Sequence, residues 1–324
     1  MKRRAAPLTL AIAAGMAAAM NVRAQVPVRV PRIGVLRWGQ PGDEWQRGLT
    51  QALAAIGYRE GSTIHIEWRF AQTQELAARH AAELVAQAPD LLVASATPAG
   101  RALRDATRAI SIVLAASADP VGAGLVHSLA QPGGNVTGVS NNLTVILPKQ
   151  VELLRELLPG MQRIAFLVST IDIATPRFIE QFRAGTEKLG LVRQEILVAG
   201  AEEFPAALDA VARARSQAVV VQPLFALGNP RPLADMLVQR RLPSASGLPS
   251  FVVGGGLMAY GPNRAETWKR SASYIDRVLK GALPANLPIE DPTTFEFGIN
   301  QRTGRALGIT VPRSLLARAD EVVE

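Results

Sequence analysis

Two short stretches place small hydroxyl and acidic residues directly before a proline, Ser95-Ala96-Thr97-Pro98 and Ser117-Ala118-Asp119-Pro120. Ser, Thr and Asp are the residues that cap helices, and proline is favoured at the first helical position, so each stretch reads as the turn from a strand into a helix. The unpaired amides of such a turn attract anions, a carboxylate above all. Thr97 and Asp119 can therefore serve as caps, as ligand contacts, or as both. The same arrangement is expected at Ser169, Thr170 and Asp172, and again at Gln222 and Phe225, each group following an apolar run. Trp38 and Tyr260 are further candidates, as aromatic faces at or near strand ends on which a planar solute could stack. This is the chemistry of non-covalent recognition.

Groupings that would do covalent chemistry are missing. The sequence has no G-x-S-x-G elbow and no phosphate-cradling lysine loop, and the Gly122-Ala123-Gly124 pair meets His127 where a dinucleotide fingerprint needs a third glycine. His65, His80 and His127 are scattered over separate elements, which argues against a shared metal. No cysteine occurs, so thiol nucleophiles, thiolate metal sites, disulfides and a lipidated cysteine anchor are all excluded. No catalytic role, cofactor or metal is expected.

The elements that must position these residues follow from hydrophobic periodicity. From residue 32 short β-branched runs alternate with amphipathic stretches, the pattern of repeated strand–helix units and a parallel sheet. Strands are expected at 32–36, 64–68 and 90–94, with helices at 45–56 and 75–86 between them. The segments 99–107, 112–115, 122–129 and 136–139 continue the alternation and complete five strands by about residue 140. A second series then begins, with helices at 151–158, 178–189, 204–213 and 232–240 and strands at 164–168, 191–198 and 218–221. Smaller pieces follow: a strand at 257–260, a helix at 265–280, a strand at 294–299 and a helix at 302–307. The fold class is therefore α/β, with two doubly wound parallel-sheet lobes joined by a hinge. In open parallel sheets ligands bind beyond the carboxyl ends of the strands, which is where every candidate residue but Tyr260 falls.

At 324 residues the chain suits two cores better than one. Lys2, Arg3 and Arg4 precede an uncharged run from Leu8 to Met20, and Val22-Arg23-Ala24 offers a small-x-small cleavage pattern, so residues 1–24 are expected to be a signal peptide. The run is shorter than the roughly 20 residues a membrane span needs. The formal charge is +8, of which Lys2, Arg3, Arg4 and Arg23 account for four. The remaining basic residues are interspersed with acids, which speaks against a nucleic-acid partner.

Three longer motifs give a resemblance. Ser117-Ala118-Asp119-Pro120-Val121-Gly122, Gln131-Pro132-Gly133-Gly134-Asn135-Val136-Thr137-Gly138 and Gly256-Leu257-Met258-Ala259-Tyr260-Gly261 resemble the ABC transporter substrate-binding family that includes the tryptophan-binding, TrpX-like proteins. The tail from Leu307 to Glu321 is similar to that family's C-terminal signature. The resemblance implies a type I periplasmic binding fold, with residues 32–141 and 262–285 in one lobe and 142–261 and 286–324 in the other. It implies a monomeric periplasmic protein that binds a small solute, an aromatic or other amino acid or a related carboxylate, and delivers it to an ABC permease and its ATPase. A ligand sensor working with a membrane receptor, without transport, is the alternative. By position Ser95, Thr97 and Ser117 would meet a ligand carboxylate and Asp119 or Asp172 an ammonium. Gln222 stands at a strand end where related proteins often carry an acid.

Overall fold

The computed structural model describes residues 29–227 and 230–324; the expected signal peptide at 1–24 lies outside them. The first half of the chain runs β1 (Arg32–Trp38), α1 (Glu44–Ala55), β2 (His65–Ala71), α2 (Gln74–Ala86), β3 (Leu91–Ser95), α3 (Thr97–Ala106), β4 (Ile112–Ser117) and β5 (Val136–Ser140). These strands form an all-parallel sheet in the order β2-β1-β3-β4-β5. The central strands are apolar on both faces because both are covered. Ile33 and Val35 of β1, with Leu91 and Val93 of β3, enter a core beside Leu49 and Leu53 of α1. Leu36, Leu92 and Ala94 point the other way, against Ala77, Ala81 and Leu84 of α2 and Leu103 of α3.

The second half builds α4 (Leu147–Leu157), β6 (Arg163–Ser169), α5 (Thr175–Lys188), β7 (Val192–Val198), α6 (Phe204–Arg213), β8 (Ala218–Val221), α7 (Arg231–Gln239), β9 (Ser244–Ser246), α8 (Ser250–Val253) and β10 (Met258–Pro262). It is followed by α9 (Arg264–Leu279), β11 (Phe295–Asn300), α10 (Gln301–Leu307), α11 (Arg313–Leu316) and β12 (Glu321–Val323). The second sheet has the order β12-β11-β10-β9-β8-β6-β7, parallel except where β10 meets β11. Here too the period-two alternation feeds two cores: Ile164, Phe166 and Val168 face Phe178 and Phe182, whereas Ala165 and Leu167 face Leu208, Val211 and Leu237.

The chain crosses between the sheets three times. After β5 it enters α4; after β10 it returns, and α9 packs Ala272, Tyr274, Ile275 and Val278 into the core of the first sheet. It stays there as far as Glu290: the Thr137 hydroxyl donates to the Leu287 carbonyl at 2.7 Å and the Ser140 amide to that of Glu290 at 2.9 Å. Only then does it enter β11 of the second sheet.

Residues 122–129, expected as the helical step between β4 and β5, form a succession of turns instead. Gly124 and Gly133 adopt positive φ, and with Pro120, Gly122, Pro132 and Gly134 they break any helical run. In β5, Gly138 sits at φ +132°, and a Cβ there would lie 2.2 Å from the Leu114 carbonyl oxygen of β4. Gly138→Ala should therefore cost about 2–4 kcal/mol through strain and backbone clash together, read as a lowered melting temperature.

Candidate functional site

The carboxyl ends of the two sheets face each other across a cleft. At its centre a space of about 80 Å³ is lined by Arg37, Ser95, Ala96, Thr97, Pro98, Ala116 and Ala118 from the first lobe. Asp172, Phe178, Pro223, Leu224, Leu227 and Leu248 line it from the second, with Asn141 and Leu143 of the first crossover. Toward the crossovers it continues into a space of about 100 Å³ walled by Glu44, Trp45, Arg264, Thr267 and Trp268 together with Leu248, Pro249 and Ser250. Arg37, Trp45, Ala116, Asn141, Leu227 and Leu248 border both spaces.

On the first-lobe wall, Ala96 takes φ 70° and ψ 157° and Ala116 takes φ 90°, conformations that suit glycine. Ala96 occupies the N-cap position of α3 and offers no side-chain acceptor to its first turn. Thr97 does not cap its own helix. Its hydroxyl accepts from the Ala118 amide at 3.1 Å and lies 3.2 Å from that of Ser117, tying the two turns after β3 and β4 together. Asp119 caps a turn and not a helix, its Oδ1 accepting from the Gly122 amide at 2.8 Å.

Ser95 accepts from Arg37, a residue the sequence reading left out by ending the strand at residue 36. Arg37 is only 4% exposed and donates through Nε to Asp43 Oδ2 at 2.9 Å, with Nη2 2.8 Å from the same oxygen. Its guanidinium lies 4.9 Å from the centre of the Trp45 ring. Burial pulls the Arg37 pKa below its ordinary value, and the Asp43 carboxylate works against that pull. An arginine inside an apolar central strand was the available signal, since a charge there needs a partner.

On the second-lobe wall, Asp172 is 6% exposed and borders the central space. Its Oδ1 accepts from the Ala174 amide at 3.0 Å and its Oδ2 from Gln222 Nε2 at 2.8 Å. Among the described residues no ion pair forms to it. Burial pushes its carboxyl pKa up, the two hydrogen bonds oppose the rise, and the Asp119 charge adds to it. Gln222 is fully buried and holds the loop by a second bond, its Oε1 accepting from the Ser169 amide at 2.6 Å. It positions Asp172 and is not itself in the cleft lining. Ser169 has a similar internal role, its hydroxyl accepting from the Ile171 amide at 3.2 Å.

The remaining candidates lie elsewhere. Thr170 is exposed, and its amide donates to the Val198 carbonyl on the outer side of β6. Trp38 is buried, and with Phe225 it borders a separate opening of about 500 Å³ on the flank of the lobes. Phe225 meets Phe204 edge-on, with ring centres 5.1 Å apart. Tyr260 stacks on Phe295 at 5.8 Å within the second lobe, because its strand pairs with β11 and turns the ring onto that neighbour. Among the described residues no helix is long and apolar enough to cross a membrane, and no group of three or more metal-ligating side chains occurs.

This geometry has counterparts in known proteins. A tyrosine-binding protein of Clostridioides difficile (strain R20291) is 26% identical over 270 residues, 82% of this chain and 76% of that one. The ABC domain from Streptococcus pneumonia in complex with L-Trp is 32% identical and superposes with a TM-score of 0.83, covering 90% of this chain and 99% of that structure. A conserved domain protein from Vibrio cholerae O1 biovar El Tor is 29% identical, with a TM-score of 0.84 over 91% of this chain and 100% of its own. The model of the ABC transporter substrate binding protein family matches residues 39–323. Its members bind solutes and are not enzymes, which agrees with a cleft built from hydroxyls, amides and a buried carboxylate. On this match over most of its length, the chain belongs to the ABC transporter substrate binding protein family.

Proposed function

We propose that the protein is exported to the periplasm and binds an α-amino acid with an apolar or aromatic side chain in the interlobe cleft, for delivery to a membrane permease and its ATPase. One observation carries the amino-acid reading: the two lobes present opposite halves of a zwitterion's complement. The first offers the uncapped amino end of α3 with the hydroxyls of Ser95 and Thr97, suited to a carboxylate. The second offers Asp172, a buried carboxylate with no cation paired to it among the described residues, suited to an ammonium. Between them the walls are apolar, with Trp45, Leu143, Phe178, Leu224 and Leu248 around the central space. The tyrosine-binding relative and the L-Trp complex support the same class of ligand.

A ligand that touches both walls favours the form in which the lobes meet, and that difference between forms is what a permease can read. The test is a thermal-shift and calorimetric screen of L-amino acids, their des-amino analogues, nucleosides and sugars, since a bound solute raises the melting temperature by mass action. The reading expects binding of one or more L-amino acids and none of the sugars or nucleosides; the reverse pattern overturns it. Thr97→Val keeps the shape of the residue but removes the oxygen that ties the turns after β3 and β4. It should weaken amino-acid binding by about 1 kcal/mol, roughly fivefold, in calorimetry.

A further inference from the structure

Asp119 and Asp172 belong to different lobes, the first in the turn after β4 and the second in the loop after β6. Their neighbourhoods come together where the lobes meet: Ala118 and Asp172 line the same central space, and Gln74 Nε2 of the first lobe donates to the Ile171 carbonyl of the second at 2.7 Å. Among the described residues, every hydrogen bond to either carboxylate comes from its own lobe, from Gly122 to Asp119 and from Ala174 and Gln222 to Asp172. The two arginines that line the central space and the space adjoining it are already engaged. Arg37 is held by Asp43, and Arg264 by Glu44, Glu296 and Glu321 at 2.8–2.9 Å.

We propose that Asp119 is a specificity-determining residue that opposes Asp172 across the cleft and makes lobe closure conditional on a cationic group supplied by the solute. With the cleft empty, bringing the lobes together sets two like charges face to face and removes water from Asp172. Both effects favour the separated form. A solute ammonium at Asp172 reverses both, whereas a carboxylate lacking an amino group adds a third negative charge. Discrimination thus comes from a repulsion that only the correct ligand relieves.

The ligand arm of the test rests on the amino-acid reading; the closure arm does not. Asp119→Asn keeps an oxygen for the Gly122 amide, so the turn is preserved while the charge is lost. The sequence contains no cysteine, so Ala109→Cys and Ala184→Cys, exposed on opposite lobes, give one spin-label pair. In the ligand-free protein at neutral pH, Asp119→Asn should shift the label–label distances toward the shorter, closed population. Calorimetry with L-tryptophan and indole-3-propionate should show the preference for the amino compound falling at least about fivefold in the variant. Unchanged distances overturn the proposal whatever the ligand result. If the distances shift but neither compound binds the wild type, the closure device stands and the amino-acid reading fails.

Discussion

Asp172→Asn is expected to lower amino-acid affinity by about 100-fold, the roughly 3 kcal/mol associated with a desolvated charge pair, while costing the ligand-free fold only the one hydrogen bond, about 1–2 kcal/mol, that a single amide oxygen cannot accept in place of Oδ1 and Oδ2. The charge itself does not stabilise the empty protein. Its pKa is raised in the folded protein, by burial first and by the charge of Asp119 as well. A carboxyl whose folded value lies above its unfolded one contributes stability that is fully present below the unfolded value, about 4. That contribution is lost as pH rises through the folded value. In its ionised form the group is therefore a net burden on the empty protein. The melting temperature of ligand-free wild type should rise, relative to the variant, as pH falls from neutral toward about 4, and amino-acid affinity should fall over the same window as Asp172 takes up its proton. Parallel melting curves for the two proteins across that window would show that Asp172 is not a strained, ligand-awaiting charge.

The second large effect is expected at the opposite wall. Asp43→Ala removes the carboxylate bonded to Arg37, in a pair whose side chains are 4% and 6% exposed. Breaking a buried pair from one side leaves an uncompensated charge and costs about 3–5 kcal/mol. Asp43 is also the N-cap of α1, its Oδ1 accepting from the Gln46 amide at 2.8 Å, which adds about 1 kcal/mol. A clear fall in the denaturant midpoint is therefore expected. The double variant Arg37→Met, Asp43→Leu replaces the pair by apolar volume and should be more stable than Asp43→Ala alone. A double variant as unstable as the single one would mean that the helix cap, and not the buried charge, is what Asp43 supplies.

These two acids differ in how far they could be read in advance. Asp172 follows an apolar run and a pair of hydroxyls, a local pattern visible in the chain. Asp43 stands between a strand and a helix, where it looks like an ordinary cap; its partner lies six positions back and is brought opposite it only by the turn at Gly39 and Gly42, both at positive φ. Thr97 shows the same limit from the other side. Its spacing to Pro98 predicts a cap, yet its oxygen serves Ala118, from a strand end that only the pairing of β3 with β4 brings beside it.

Two short strands, β9 and β12, escaped the sequence reading because three residues carry no measurable period. Tyr260 and Trp38 are expected at the cleft on their nearness to strand ends; the structure stacks Tyr260 on Phe295 and buries Trp38 at the edge of the flanking opening that residues of both lobes line. Nearness along the chain does not fix which side of a sheet an alternating side chain faces.

By itself the sequence determined the α/β class, the two series of strand–helix units and the loops that carry hydroxyls and acids, because periodicity, capping chemistry and proline placement are local properties of the chain. The tertiary structure alone decided which of those groups meet. Arg37 and Asp43, Thr97 and Ser117, Asp172 and Gln222 become partners through strand pairing and burial, and a carboxylate becomes a site only when the fold removes its water without giving it a cation.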